Sequence, residues 1–142
     1  MNESADKNIK YSIDGKVFVI EINRPEKKNA LLPGMYTALA AGLHQANEDA
    51  SVNVTLIRGV NDGLTSGNDV SSFLASNTPT TERPSVAFMN ALNESKKPSV
   101  AASSGLAIGI GTTLLFHCDL IYASENCFLQ LPFTRLGLCP EA

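Results

Sequence analysis

Cysteine is scarce in this 142-residue chain: Cys118, Cys127 and Cys139 are odd in number and show no C-x-x-C spacing. That excludes a disulfide framework and a zinc site, and the three thiols are expected to be reduced. No basic run or stripe accompanies the formal net charge of −3, which excludes nucleic acid as a partner. Met1 to Lys10 is polar and charged and lacks the apolar centre of a signal peptide, so the expected location is the cytoplasm, or an organelle matrix if the source is eukaryotic. Between Pro98 and Cys118 there is no Asp, Glu, Lys or Arg. At ~1.5 Å rise per residue such a run is long enough to span a bilayer. It is diluted by Ser99, Ser103, Ser104, Thr112 and Thr113, interrupted by Gly105, Gly109 and Gly111, and flanked by no aromatic anchor with a basic cluster. A buried strand, a glycine turn and a buried helix are therefore expected there, and no membrane segment.

What is present suits one ordinary core, since 44% of the residues are hydrophobic and 18% charged. One domain over residues 1–142 is expected. Val17 to Asn23 reads as a strand that stops at Arg24-Pro25. Pro33 opens a helix to about Glu48, with Met35, Leu39, Gly42, Leu43 and Ala46 on one face. Val52 to Arg58 is β-like, Asn61 to Asn68 reads as a loop, and Asp69 sits in the first turn of a short helix to Leu74. After a polar stretch from Ser76 to Pro84, a second amphipathic helix is predicted from Ser85 to about Ser95. It turns Val86, Met89 and Leu92 to the core, with Ala87 and Phe88 beside them. Ser99 to Ser103 is then a strand, Gly105 to Gly109 a turn, Ile110 to Phe116 a helix and Asp119 to Ala123 a strand. The pattern is α/β, without a sequence repeat strong enough to mark a solenoid. The last residues, Arg135 to Ala142, read as a loop heading into another element.

Two segments offer backbone chemistry. Gly109-Ile110-Gly111 suggests a dinucleotide-binding turn, but the third glycine is absent and the segment does not follow the first strand of a βαβ unit. A better use of the same geometry is an oxyanion site, in which backbone N–H groups where a loop enters a helix face a carbonyl oxygen that becomes negative. Ser66-Gly67-Asn68-Asp69 and Gly109-Ile110-Gly111 both fit. A helix cap and a packing turn are the plain alternatives. His44 is expected to be exposed and His117 to be hydrogen-bonded at a helix end, neither as base or ligand.

Four motifs occur together: Asn23-Arg24-Pro25-Glu26-Lys27-Lys28-Asn29-Ala30-Leu31, Thr65-Ser66-Gly67-Asn68-Asp69, Gly105-Leu106-Ala107-Ile108-Gly109-Ile110-Gly111 and His117-Cys118-Asp119-Leu120-Ile121-Tyr122-Ala123. In this order and spacing they resemble the crotonase (enoyl-CoA hydratase/isomerase) superfamily from about Lys16 onward. The resemblance implies a spiral of repeated ββα units, cut off before the family's C-terminal helices, that binds an acyl-CoA and assembles as a trimer or a dimer of trimers. It places two oxyanion donors on the backbone N–H groups of Asn68 and Ile110. Lys27, Lys28, Ala30, Ser66, Gly67, Asn68, Asp69, Gly109 and Phe133 would line the substrate site, with coenzyme A entering as part of the substrate and no separate cofactor or metal.

The same resemblance bears on the reaction. Hydratases of the family carry two water-handling glutamates at positions that are Thr113 and Phe133 here, so paired acid and base are missing. The peroxisomal-type and related bacterial isomerases place a single glutamate in a Leu-Gly-x-x-x-Glu context, which reads Leu136-Gly137-Leu138-Cys139-Pro140-Glu141 in this chain. The resemblance therefore implies a 3-enoyl-CoA to 2-enoyl-CoA isomerase with Glu141 as its acid/base, in apolar surroundings supplied by Phe133, Leu136 and Leu138. The alternatives are an inactive or truncated fragment, or another acyl-CoA activity of the family.

Overall fold

A computed structural model describes residues 3–61, 63–74 and 83–140. The chain opens with a hairpin in which β1 (Ile9–Asp14) and β2 (Val17–Ile22) pair antiparallel, Asp14 opposite Val17. The long helix α1 (Pro33–Glu48) starts on its proline, whose missing N–H costs nothing in the first turn. There follow β3 (Val54–Gly59), β4 (Gly63–Thr65), α2 (Val70–Leu74), α3 (Pro84–Asn93), β5 (Ser99–Ser103) and β6 (Leu106–Ile108). The described chain finishes with α4 (Ile110–Phe116), β7 (Leu120–Ala123), β8 (Phe128–Gln130) and a short 3-10 turn, Phe133–Leu136.

Two sheets organise these elements. One is five-stranded, in the order β1-β2-β3-β5-β7, and the other three-stranded, β4-β6-β8. From β3 onward each pair of consecutive strands is split between the sheets, with parallel neighbours in both. The chain therefore advances as strand, strand, helix, and each turn lays one more strand on each sheet. This is the ββα spiral of the crotonase fold, and the repeat lies in topology where none is visible in sequence. Phe18, Ile20, Ile22, Met35, Leu39, Leu43, Ile57, Leu64, Phe88 and Leu114 form its buried centre. α1 meets α3 there, and the Tyr36 and Phe88 rings lie tilted with centroids 6.1 Å apart.

Several expectations match to within two residues, including α1, β5 and α4. Others need correction. Asn61 to Asn68 is not all loop, because β4 lies inside it, and the Gly105–Gly109 turn contains β6. Both strands are three residues long, too short to show a period, and their hydrogen-bond partners are distant in sequence. β1 and β8 lie beyond the expectation: β1 alternates Ile9, Tyr11 and Ile13 with Lys10, Ser12 and Asp14, the period-2 pattern of a half-buried strand, whereas β8 is three residues long and mostly exposed. In α3, Ala87 faces solvent and Ala91 is buried. The stretch Ser76 to Pro84 lies outside the described residues as far as position 82. The His-Cys-Asp segment has a structural role through Asp119, whose Oδ2 accepts the Ser99 backbone N–H at 2.7 Å and so ties the start of β7 to β5. His44 is exposed and His117 closes α4.

Candidate active site

The loop between β2 and α1 is shaped by one buried asparagine. Asn29 has a left-handed backbone (φ 58), a conformation that asparagine tolerates better than most residues. Its Oδ1 accepts the Arg24 backbone N–H at 2.8 Å, and its Nδ2 donates to the carbonyls of Val60 at 3.1 Å and Gly63 at 2.8 Å. The loop is thereby pinned to the bend between β3 and β4. Thr65, buried in β4, donates its hydroxyl to the Asn29 carbonyl at 2.6 Å and accepts the Gly67 N–H at 3.0 Å.

The next stretch zips onto the same loop. Ser66 N–H donates to the Lys28 carbonyl at 3.0 Å, Leu31 N–H to Gly67 at 2.8 Å, and Asp69 N–H to Leu31 at 2.9 Å. The last two bonds make a parallel bridge between Leu31 and Asn68. In such a bridge Leu31 bonds the residues before and after Asn68, so the N–H and C=O of Asn68 itself point to the opposite side. Arg24 locks the arrangement, giving Nη1 to the Ala30 carbonyl at 2.9 Å and to Asp69 Oδ2 at 2.7 Å, with both ionic side chains mostly buried. The Ser71 hydroxyl and then Arg24 hold the Asp69 carboxyl well below its usual value, at about 2. Asp69 also caps α2, since its Oδ1 accepts the Ser71 N–H at 3.1 Å. The helix-cap reading of this turn is therefore correct, and it coexists with an outward-facing Asn68 N–H.

The second glycine turn lies beside the first. β4 and β6 pair in parallel, so the residues that follow them, 66–69 and 109–111, leave the small sheet side by side. Gly67 (φ +93) approaches so closely that an added Cβ would lie 2.9 Å from the Ile108 carbonyl oxygen. Gly109 donates its N–H to Gln130 on β8 at 2.8 Å, and its carbonyl accepts from Thr112 and Thr113. Gly111 packs against β4, where a Cβ would stand 2.7 Å from Thr65 Cγ2 and 3.0 Å from the Thr65 carbonyl oxygen. The packing-turn reading thus holds as well. Ile110 is the first residue of α4, and no hydrogen bond takes its backbone N–H or that of Asn68 among the described residues.

Asn68, Ile110, Ser66, Gly67, Asp69 and Gly109 are thus brought together, with Ala30 bonded into the same assembly. Lys27 and Lys28 are exposed beside it, and Lys28 lines a cavity of about 250 Å³ with Pro25, Asn29, Asn61 and Leu106. Phe133 is half-buried at the head of the 3-10 turn. Glu141 lies outside the described residues. Leu136 and Leu138, expected beside it, are 63% and 40% exposed. Thr113 is buried, and its hydroxyl turns to the Ile110 carbonyl at 3.4 Å. Sequence reasoning gave no role to Arg24, Asn29, Tyr36 or Thr65. The preference of asparagine for a left-handed turn could have flagged Asn29, whereas Tyr36 carried no signal beyond a place on the core face of α1.

Known proteins resemble this chain in sequence and in fold. The chain is 35% identical to rat enoyl-CoA delta isomerase 2, over 96% of this chain and 36% of the relative. It is 33% identical to 2,3-dehydroadipyl-CoA hydratase of Escherichia coli, over 89% and 50% respectively. The solved structure of Pseudomonas aeruginosa OdaA superposes with a TM-score of 0.90 at 42% identity, over 95% of this chain and 55% of that one. The chain therefore spans between about a third and a half of the length of the curated relatives it matches. The family model described as enoyl-CoA hydratase/isomerase matches residues 12–142, and with the ββα spiral and the paired glycine turns in place, this chain belongs to the enoyl-CoA hydratase/isomerase (crotonase) family.

Proposed function

We propose that the intact protein is an enoyl-CoA isomerase that moves the double bond of a 3-enoyl-CoA to the 2 position. The observation that carries this reading is the buried inner face of α4, where Thr113 stands in place of a carboxylate and bonds its own helix. Hydration needs a positioned water and proton transfer at both carbons of the double bond, whereas isomerisation needs one carboxylate. The delta isomerases among the relatives support the same choice.

In this mechanism the thioester oxygen takes the backbone N–H groups of Asn68 and Ile110. Glu141 removes a proton from C2, the two donors stabilise the dienolate oxygen, and the same carboxyl returns the proton at C4. Ala30, Ser66, Gly67, Asp69 and Gly109 shape the pantetheine channel, with Lys27 and Lys28 at its phosphate end and Phe133 beside the acyl chain. No cofactor beyond the coenzyme A of the substrate takes part. Assembly into a trimer or a dimer of trimers belongs to the same reading.

The test uses the intact protein with 3-enoyl-CoA and crotonyl-CoA in parallel. Isomerisation should be rapid and hydration of crotonyl-CoA at background; hydration at ~1 s⁻¹ or faster would overturn the assignment. Glu141→Gln should leave acyl-CoA binding nearly intact while slowing isomerisation by about 10²- to 10⁴-fold. A variant within a few-fold of the parent would remove Glu141 from the mechanism.

A further inference from the structure

We infer that Tyr36 is a positioning residue for the oxyanion turn, acting through the side chain of Asn68. The Tyr36 hydroxyl donates to Asn68 Oδ1 at 2.5 Å, across 32 residues of sequence. Tyr36 belongs to α1, is 3% exposed, and has its ring fixed against Phe88. The donor is therefore anchored in the rigid core, and the acceptor is the residue whose backbone N–H is left facing away from Leu31.

Asn68 needs such an anchor. Its two sequence neighbours are fixed through Leu31, and Gly67 is also held by Thr65. Asn68 itself makes neither bond of that bridge. Its N–H shares a planar peptide with the Gly67 carbonyl, so it turns only when that peptide rocks about Gly67 ψ and Asn68 φ. A single bond, from Leu31 N–H, opposes that rocking, and Gly67 has no Cβ to resist it. Fixing Oδ1 closes a loop through Cα and Cβ and removes that freedom, so the N–H direction is set before substrate arrives, which is the preorganisation an oxyanion donor requires. A hydroxyl bonded at 2.5 Å to a half-buried amide oxygen holds it more firmly than water would.

The inference rests on the reading of Asn68 as an oxyanion donor, and the experiment separates the two. The carbonyl carbon of ¹³C-labelled butanoyl-CoA, a saturated thioester that cannot isomerise, reports polarisation by NMR whatever reaction the protein performs. Bound to the intact parent protein it should move downfield; no movement overturns the oxyanion reading and this inference with it. Given that shift, Tyr36→Phe should reduce it while the Kd for butanoyl-CoA stays within about 2-fold, because the ring and its packing remain. Isomerisation should slow by about 2- to 10-fold in kcat, the worth of one neutral hydrogen bond, with KM little changed.

Asn68→Ala, which keeps the backbone N–H and deletes the acceptor, should give a similar loss, and the double variant should be no slower than either single one. An undiminished carbonyl shift in Tyr36→Phe, or additive losses in the double variant, overturns the positioning role. Thermal melts of the three variants within a few degrees of one another would separate the effect from unfolding, and Tyr36→Leu, which loses ring and hydroxyl together, should fall below all three in stability.

Discussion

Replacing Asn29 with alanine should be one of the most damaging single changes away from the hydrophobic centre. The side chain makes three hydrogen bonds, to the Arg24 N–H and to the Val60 and Gly63 carbonyls. The Gly63 bond is fully buried, and its loss leaves a carbonyl unpaired at a cost of ~1–3 kcal/mol. The other two are half-buried, so each is worth about 0.5–1 kcal/mol. Alanine at φ 58 adds about 1 kcal/mol, because a Cβ without a local hydrogen bond disfavours the left-handed region. The sum is roughly 3–6 kcal/mol, a large fraction of the ~5–15 kcal/mol that holds a typical domain.

Urea unfolding followed by far-UV circular dichroism measures it, with Asn29→Gly as the partner variant. Glycine loses the same hydrogen bonds but not the backbone preference, so it should be less destabilised than alanine by about 1 kcal/mol. Asn29→Asp sets an acceptor against two carbonyl oxygens and should be no better than alanine. An Asn29→Ala protein within about 1 kcal/mol of the parent would refute the reasoning, and so would a glycine variant no more stable than the alanine one.

Gly111→Ala should push α4 away from β4, because its Cβ would meet the Thr65 side chain and carbonyl oxygen at 2.7 and 3.0 Å; a loss of about 1–3 kcal/mol in the same unfolding assay is expected, and a neutral variant would contradict the packing. Asp69 predicts an acid limit. Its folded pKa of about 2 lies below the ordinary 3.8, so on acidification the unfolded chain takes up the proton first. The contribution is complete above the ordinary value and is lost as pH falls toward 2. Melting temperatures between pH 5 and 2 should therefore fall less steeply in Asp69→Asn than in the parent, and parallel curves would refute the assignment. Burial raises the Cys118 thiol to about 11, whereas Cys139 is exposed. Iodoacetamide at mildly alkaline pH, followed by peptide mass mapping, should mark Cys139 well before Cys118.

Long periodic elements and glycine turns were legible in the sequence. α1 was visible from its opening proline and the spacing of Met35, Leu39 and Leu43, and α4 from an uncharged run after a glycine pair, because helix periodicity and chain breakers are local properties. The motifs around Asn68 and Ile110 likewise identified the family before any contact was known. The short strands β4 and β6 were not legible, since three residues carry no period and exist only because the spiral brings them together. Nor was the bracing of the site. Arg24 reaches Asp69 across 45 residues, Thr65 reaches Asn29 across 36 and Tyr36 reaches Asn68 across 32. Such pairings depend on where whole elements dock, so the sequence by itself determined only where the two glycine turns fall along the chain. Only the tertiary structure decided that the two lie side by side, with a tyrosine from the helix core holding one of them in place.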